Sequence, residues 1–175
     1  MIYANYSRSE WRPNCYGGYL NFEGMDFMRQ LNTAVREQTS GYLIGEDSST
    51  EWGITSTDEG NALGFMLKWN MGWMNDTLRY IGLDPIYRQY HHEELVHTLD
   101  YAFSENFVLV LSHDEVVYGK KSLVEKSPGG VEEKFGCLKT LFTHQIGHPG
   151  KKLLFMGQDF AQNREWSATE SIDWH

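Results

Sequence analysis

Two short segments of this 175-residue chain join an apolar run to acidic side chains. In Asn106-Phe107-Val108-Leu109-Val110-Leu111-Ser112-His113-Asp114-Glu115, an uncharged stretch stops on an imidazole and two carboxylates. In Gly41-Tyr42-Leu43-Ile44-Gly45, a shorter apolar run leads into Glu46-Asp47. Consecutive apolar residues of strand length read as a buried parallel strand. Loops leaving the C-terminal ends of such strands line the ligand crevice of α/β enzymes, so groups placed there are positioned for chemistry. Two strand ends that could aim carboxylates at one pocket suit acid/base work on a glycosidic bond.

The elements that must hold these groups follow from periodicity. Met25, Met28, Leu31 and Val35, widened by Phe27 and Ala34, predict an amphipathic helix from about Gly24 to Gln38. A strand begins at Tyr42, a polar loop runs from Ser48 to Asn61, and a second strand covers Gly64 to Trp69. A helix is expected from Gly72 to Tyr80, a loop around Pro85, and another helix from Glu93 to Phe103. Beyond the strand at Phe107 to Ser112, a basic, solvated loop with Lys120, Lys121 and Lys126 spans Gly119 to Gly130. A helix from Glu132 to Ile146 stops near His148-Pro149-Gly150, and Lys152 to Gly157 forms a last strand that ends on Gln158-Asp159. The first twenty residues, with Trp11, Pro13, Cys15 and Gly17-Gly18, are irregular and aromatic. This alternation is that of an α/β chain with parallel strands, and no repeat or linker divides residues 1–175. Four strands are too few for a closed barrel, which takes eight strands and about 250 residues, so a small open sheet or part of a barrel is expected.

Composition narrows the partners. Hydrophobic residues at 41% and aromatics at 14% suffice for a packed core. A net charge of −9 argues against nucleic acid or an anionic membrane as partner, since both attract Lys and Arg. Cys15 and Cys137 form no paired motif, and the start lacks a basic and apolar leader, so a cytoplasmic location is expected. No apolar stretch approaches the roughly 18 residues of a membrane span. His91-His92-Glu93-Glu94-Leu95-Val96-His97 does not make a zinc motif, because Val96 stands where the second His is required. Gly119-Lys120-Lys121-Ser122 is not a phosphate loop, because Asp114 takes the earlier glycine position and Lys121 interrupts the pattern. No metal and no cofactor is expected.

Four longer motifs are more specific: Lys68-Trp69-Asn70-Met71-Gly72-Trp73-Met74-Asn75-Asp76-Thr77, Asp84-Pro85-Ile86-Tyr87-Arg88-Gln89-Tyr90-His91-His92, Ser112 to Ser122, and Phe155-Met156-Gly157-Gln158-Asp159-Phe160-Ala161-Gln162. In this order they resemble the 1,4-alpha-glucan branching enzymes of the alpha-amylase superfamily, from Met1 to His175. The resemblance implies the C-terminal half of a (β/α)8 barrel. Its fifth strand would end at Glu46, the counterpart of the general acid/base, and its seventh at His113, which binds sugar, and Asp114, which stabilises the transition state. It also implies that the nucleophilic Asp sits in an Asp-Ala-Val-Ala-Ser segment ahead of the residues matching Met1-Ile2-Tyr3. The chain would then be an internal fragment, without the first half of the barrel and the flanking β domains. Tyr118 departs from the family, which usually has His there.

The family's reaction would cleave an alpha-1,4-glucan and transfer the segment to a 6-hydroxyl, with retention. Such chemistry needs a carboxylate nucleophile and, about 5–5.5 Å from it, a second carboxyl that protonates the leaving oxygen and then deprotonates the acceptor. A carboxyl kept protonated until it is used needs a partly apolar setting or a neighbouring negative charge. Ile44, Gly45 and Asp47 flank Glu46. Aromatic faces at Trp52, Trp69, Trp73 and Tyr90 could stack on sugar rings, with Trp69 and Tyr90 the substrate-binding candidates beside His113. The competing expectations are an alpha-glucan hydrolase of the same superfamily and an inactive glucan-binding remnant.

Overall fold

The computed structural model describes residues 13–58, 60 and 62–174. The part of the irregular opening that holds Trp11, and positions 59 and 61 of the polar loop, lie outside the described residues. The described residues fall into two compact units, one made of those within 13–69 and 104–106 and the other of those within 70–103 and 107–174.

In the first unit, helix α1 (Phe22–Gln38) starts at Asn21, whose side chain accepts the Gly24 N–H at 3.0 Å and so satisfies one orphan donor of the first turn. Met25 is buried with Ile54 and Leu63, and Tyr19, Leu20, Met28 and Phe65 pack around them. The buried face is rotated from the expected stripe, because Phe27 and Leu31 are exposed while Asn32 is buried. The cause is polar: the Asn32 amide donates to Met28 O and Leu63 O, both at 3.0 Å. Strands β1 (Ile44–Gly45) and β2 (Leu67–Trp69) pair in parallel, with Ile44 opposite Leu67 and Gly45 opposite Lys68. β2 is shorter than expected because the N–H groups of Gly64 and Phe65 bond back to Ser56 O and Ile54 O, at 2.9 and 3.1 Å.

In the second unit, α2 (Met71–Gly82) is capped by Asn70, whose side chain accepts the Trp73 N–H at 2.8 Å. It buries Trp73, Met74, Thr77 and Ile81. Pro85 is not in a loop but opens a single helical turn, α3 (Pro85–Arg88), where its fixed φ and missing N–H cost nothing. The helix expected over Glu93–Phe103 is broken into one turn, α4 (Glu93–Val96), and a 3₁₀ turn at His97–Leu99. Beside the small Ala102, its buried residues are polar: Glu94 meets Arg79 and His91, and Thr98 meets His148, so the large apolar stripe that would hold a longer helix is absent.

Strand β3 (Phe107–Leu111) is buried at every position, as its unbroken apolar run requires. It pairs in parallel with β4 (Lys151–Leu154), Val108 opposite Lys151 and Leu111 opposite Leu154. Between them runs α5 (Val131–Gly147), whose Gln145 is fully buried and donates to Leu109 O and Leu153 O, at 3.1 and 3.2 Å. Gly150 turns the chain into β4 at φ +121°, and a Cβ there would stand 3.1 Å from the Phe107 carbonyl oxygen. The segment Gly119–Gly130 is only partly the solvated loop expected: Ser122, Leu123, Val124 and Ser127 are buried, and a 3₁₀ turn (Val124–Lys126) packs on α2 and α5. No helix among the described residues is long and apolar enough to cross a membrane.

Candidate active site

His113 and Asp114 leave the C-terminal end of β3 on a backbone that is bound from both sides. The Ser112 N–H donates to the buried carboxylate of Glu115, and the Ser112 carbonyl accepts from the buried Gln158 amide at 3.1 Å. Gln158 also accepts, at 3.1 Å, the Phe155 N–H that is shared with Leu111 O, and so ties the chain after β4 to the chain after β3. Ser112 Oγ accepts the Asp114 N–H at 3.2 Å, and a 3₁₀ turn over Asp114–Val116 leaves the side chains of His113 and Asp114 about half exposed. His113 Nε2 lies 3.2 Å from Asp114 Oδ1, with the side chains 44% and 51% exposed. The imidazole stands against Phe155 and Trp166, ring centroids 5.7 and 5.5 Å away, and those two rings meet edge-on at 5.2 Å. Aromatic walls of this kind fix the plane of an imidazole while leaving its edge to donate.

The loop after this turn is also tied down. Trp166 N–H donates to Val116 O at 3.0 Å, and the Glu165 carboxylate accepts the N–H groups of Gly119 and Lys121, at 2.9 and 2.5 Å. Those backbone bonds, Gly119 first, hold the Glu165 carboxyl below the usual range. Tyr118 and Lys121 occupy the left-handed region at φ +54° and +69°, which costs a side-chain-bearing residue free energy. Lys120 donates to Asp114 O at 2.7 Å, so the departure at Tyr118 sits in a loop joined to the turn that bears Asp114.

In the first unit, Glu46 directly follows β1 and Trp69 is the last residue of β2. The adjacent acids there differ completely. Asp47 is buried, its carboxylate 2.8 Å from Lys68 Nζ and accepting the Ser49 N–H and hydroxyl at 3.1 and 2.8 Å. Glu46 is exposed, with no hydrogen bond or ion pair among the described residues. The apolar, negatively charged setting expected from Ile44 and Asp47 is not what surrounds it, since Ile44 is exposed and Lys68 matches the Asp47 charge.

The aromatic candidates separate in the same way. Trp73 is fully enclosed, its Nε1 donating to His144 at 3.3 Å, so it offers no face to a sugar. Tyr90 and Trp52 are exposed, and Trp69 is half-buried. In the His91–His97 segment, Glu94 is taken up by His91 at 2.9 Å and Arg79 at 3.0 Å. Burial alone would push Glu94 up, but the hydrogen bonds from Arg79 and His91 hold it below its ordinary value. Glu115, expected as a second carboxylate presented for chemistry, is instead buried against Ser112, and Gln158, Glu165 and Trp166 had no assigned role in the sequence. The one visible signal was the polar Gln158 at the end of an apolar strand.

The chain is an α/β protein whose parallel strands end on an exposed carboxylate in one unit and on a His–Asp pair in the other. Over its full length the chain is similar to a segment of the 1,4-alpha-glucan branching enzymes: that of Nitrosospira multiformis is 52% identical over 178 residues, covering all of this chain and 24% of the relative. The branching enzyme of Aquifex aeolicus is 53% identical over 176 residues, all of this chain and 28% of the relative, and that of Shewanella sp. is 51% identical over 178 residues. The family resemblance carried by the four motifs therefore extends through the whole chain, which spans about a quarter of the length of the curated relatives it matches. No protein-family model matches.

Proposed function

We propose that residues 1–175 are the C-terminal half of the catalytic (β/α)8 barrel of a glucan-branching glycosyltransferase acting on an alpha-1,4-glucan. The observation that carries this is a match of about 52% identity from end to end with proteins named for that activity. Glu46 is the general acid/base: it gives its proton to the leaving glycosidic oxygen as a covalent glucosyl ester forms. It then takes the proton of the incoming 6-hydroxyl as that oxygen displaces the ester. The nucleophilic carboxylate comes from the segment that the resemblance puts ahead of Met1. Asp114 favours the oxocarbenium-like transition state and His113 donates to a sugar hydroxyl, with Trp69 and Tyr90 as stacking faces. The exposure of Glu46 against the fully engaged Asp47 supports the choice between these neighbours.

The test is Glu46→Gln beside Asp47→Asn in a complete branching enzyme carrying this segment. Glu46→Gln should slow transfer from amylose by about 100- to 10,000-fold. With α-glucosyl fluoride, whose leaving group needs little protonation, fluoride release should survive and the glucosyl ester accumulate. Equal losses on both substrates, or the selective loss in Asp47→Asn instead, would refute the assignment.

A further inference from the structure

We propose that Lys68 and Asp47 are positioning residues that hold the Glu46 carboxyl where it reacts. This rests on the reading of Glu46 as acid/base. The β1 ladder contains only Ile44 and Gly45, so regular pairing ends one residue before Glu46. What restrains the backbone on the far side is the side chain of Asp47. Its Oδ2 meets Lys68 Nζ and Ser49 Oγ, each at 2.8 Å, and its Oδ1 takes the Ser49 N–H at 3.1 Å. Lys68 stands opposite Gly45 on β2 and also donates to Ser49 O at 3.3 Å. Residues 47–49 are thereby fastened to the neighbouring strand, and Glu46 is held between a ladder on one side and an ion pair on the other.

Stability alone is a poor reason to keep such a pair. Both side chains are almost wholly buried, 7% and 4% exposed, and removing two charges from water is costly. Apolar residues of similar volume are often as stable as a buried ion pair. What apolar residues cannot do is hold the Ser49 N–H, hydroxyl and carbonyl in fixed directions beside an exposed carboxyl. A proton donor displaced by about 1 Å loses on the order of 100-fold in rate, so the direction matters more than the packing.

The experiment compares Lys68→Met, Asp47→Leu and the double variant in a complete branching enzyme carrying this segment, with thermal melting of each. Either single change strands a buried charge and lowers both Tm and rate. The double variant recovers Tm, and its transfer from amylose stays down on the order of 100-fold, while its fluoride release from α-glucosyl fluoride falls far less. That selectivity is the signature of a misplaced acid. Recovery of amylose transfer together with Tm would overturn the proposal, as would equal losses on both substrates. Should the double variant fail to fold, Lys68→Arg keeps the charge but moves the donor. A selective loss of amylose transfer in Lys68→Arg then supports the positioning role, and equal losses on the two substrates overturn it. Glu46→Gln run in parallel separates the two ideas. A Glu46→Gln enzyme that still branches removes the acid/base reading itself, whereas an inactive Glu46→Gln beside a fully active double variant removes only the positioning role.

Discussion

Lowering the pH should loosen the second unit through His148. The ring is buried among Trp73, His144 and Thr98, centroids 6.3 Å from Trp73 and 5.5 Å from His144, and burial, then His144, then Lys152 lower its pKa from 6.5 to about 4. The sign follows from linkage: the unfolded chain takes up this proton near pH 6.5 and the folded chain only near 4. The neutral ring therefore costs nothing above pH 6.5, and stability is lost as pH falls between the two values. At about 1.4 kcal/mol per pH decade, going from pH 7.5 to 5.0 should remove roughly 2 kcal/mol through this one group. At pH 5.0 ordinary carboxylates are still mostly charged, which isolates the histidines. His144, also lowered by burial, adds to the loss in the same direction. The assay is urea unfolding at both pH values for the parent chain and His148→Gln, which keeps a polar group near Thr98 but does not titrate. The variant should lose about 2 kcal/mol less across this range. If the two proteins lost stability equally, or if NMR showed the His148 ring titrating near 6.5, the reasoning would be refuted.

Other outcomes follow from the same contacts. Gln145→Leu removes the donors to Leu109 O and Leu153 O and should cost about 1–3 kcal/mol in urea unfolding at unchanged m-value. Tyr118→Gly relieves a left-handed backbone at φ +54° and should raise Tm slightly, the gain of about 1–2 kcal/mol being partly offset by the freedom glycine has when unfolded. Glu165→Gln weakens the charged acceptor of the Gly119 and Lys121 N–H groups, so hydrogen exchange at those two amides should speed up while exchange within β3 stays unchanged. Gly150→Ala sets a Cβ against the Phe107 carbonyl in a conformation L-residues avoid, and should lower Tm more than Gly136→Ala, which meets nothing within 4 Å.

Elements whose inward residues are apolar were legible from the sequence. β3 announces itself as five consecutive apolar residues, and the helix expected from Gly72 to Tyr80 is found as α2. Which polar groups are buried was not legible, because the partner that makes burial tolerable lies far along the chain. Glu94 is matched by Arg79, Thr98 by His148, and Asn32 by the Leu63 carbonyl, and none of these pairings leaves a local pattern. The same limit applies at the candidate site. Strand direction points to Glu46, Asp47, His113 and Asp114 as the residues at the exits, but that Asp47 is spent on a lysine 21 positions later is a fact of the fold. Glu115, adjacent to the His–Asp pair and of the same chemical type, turns inward to hold Ser112, a distinction that only the backbone geometry makes.

The double hold on Ser112 separates the strand end from the side chains it presents. Glu115 and Gln158 take care of its N–H and its carbonyl, and neither bond involves the side chains of His113 or Asp114. Those two positions can therefore be rewritten by mutation, in the laboratory or over evolutionary time, without asking the strand end to refold. The effect of a substitution at His113 or Asp114 is then confined to the side chain presented, whereas one at Glu115 or Gln158 reaches the architecture. A lineage can change what this strand end presents while keeping the mount intact.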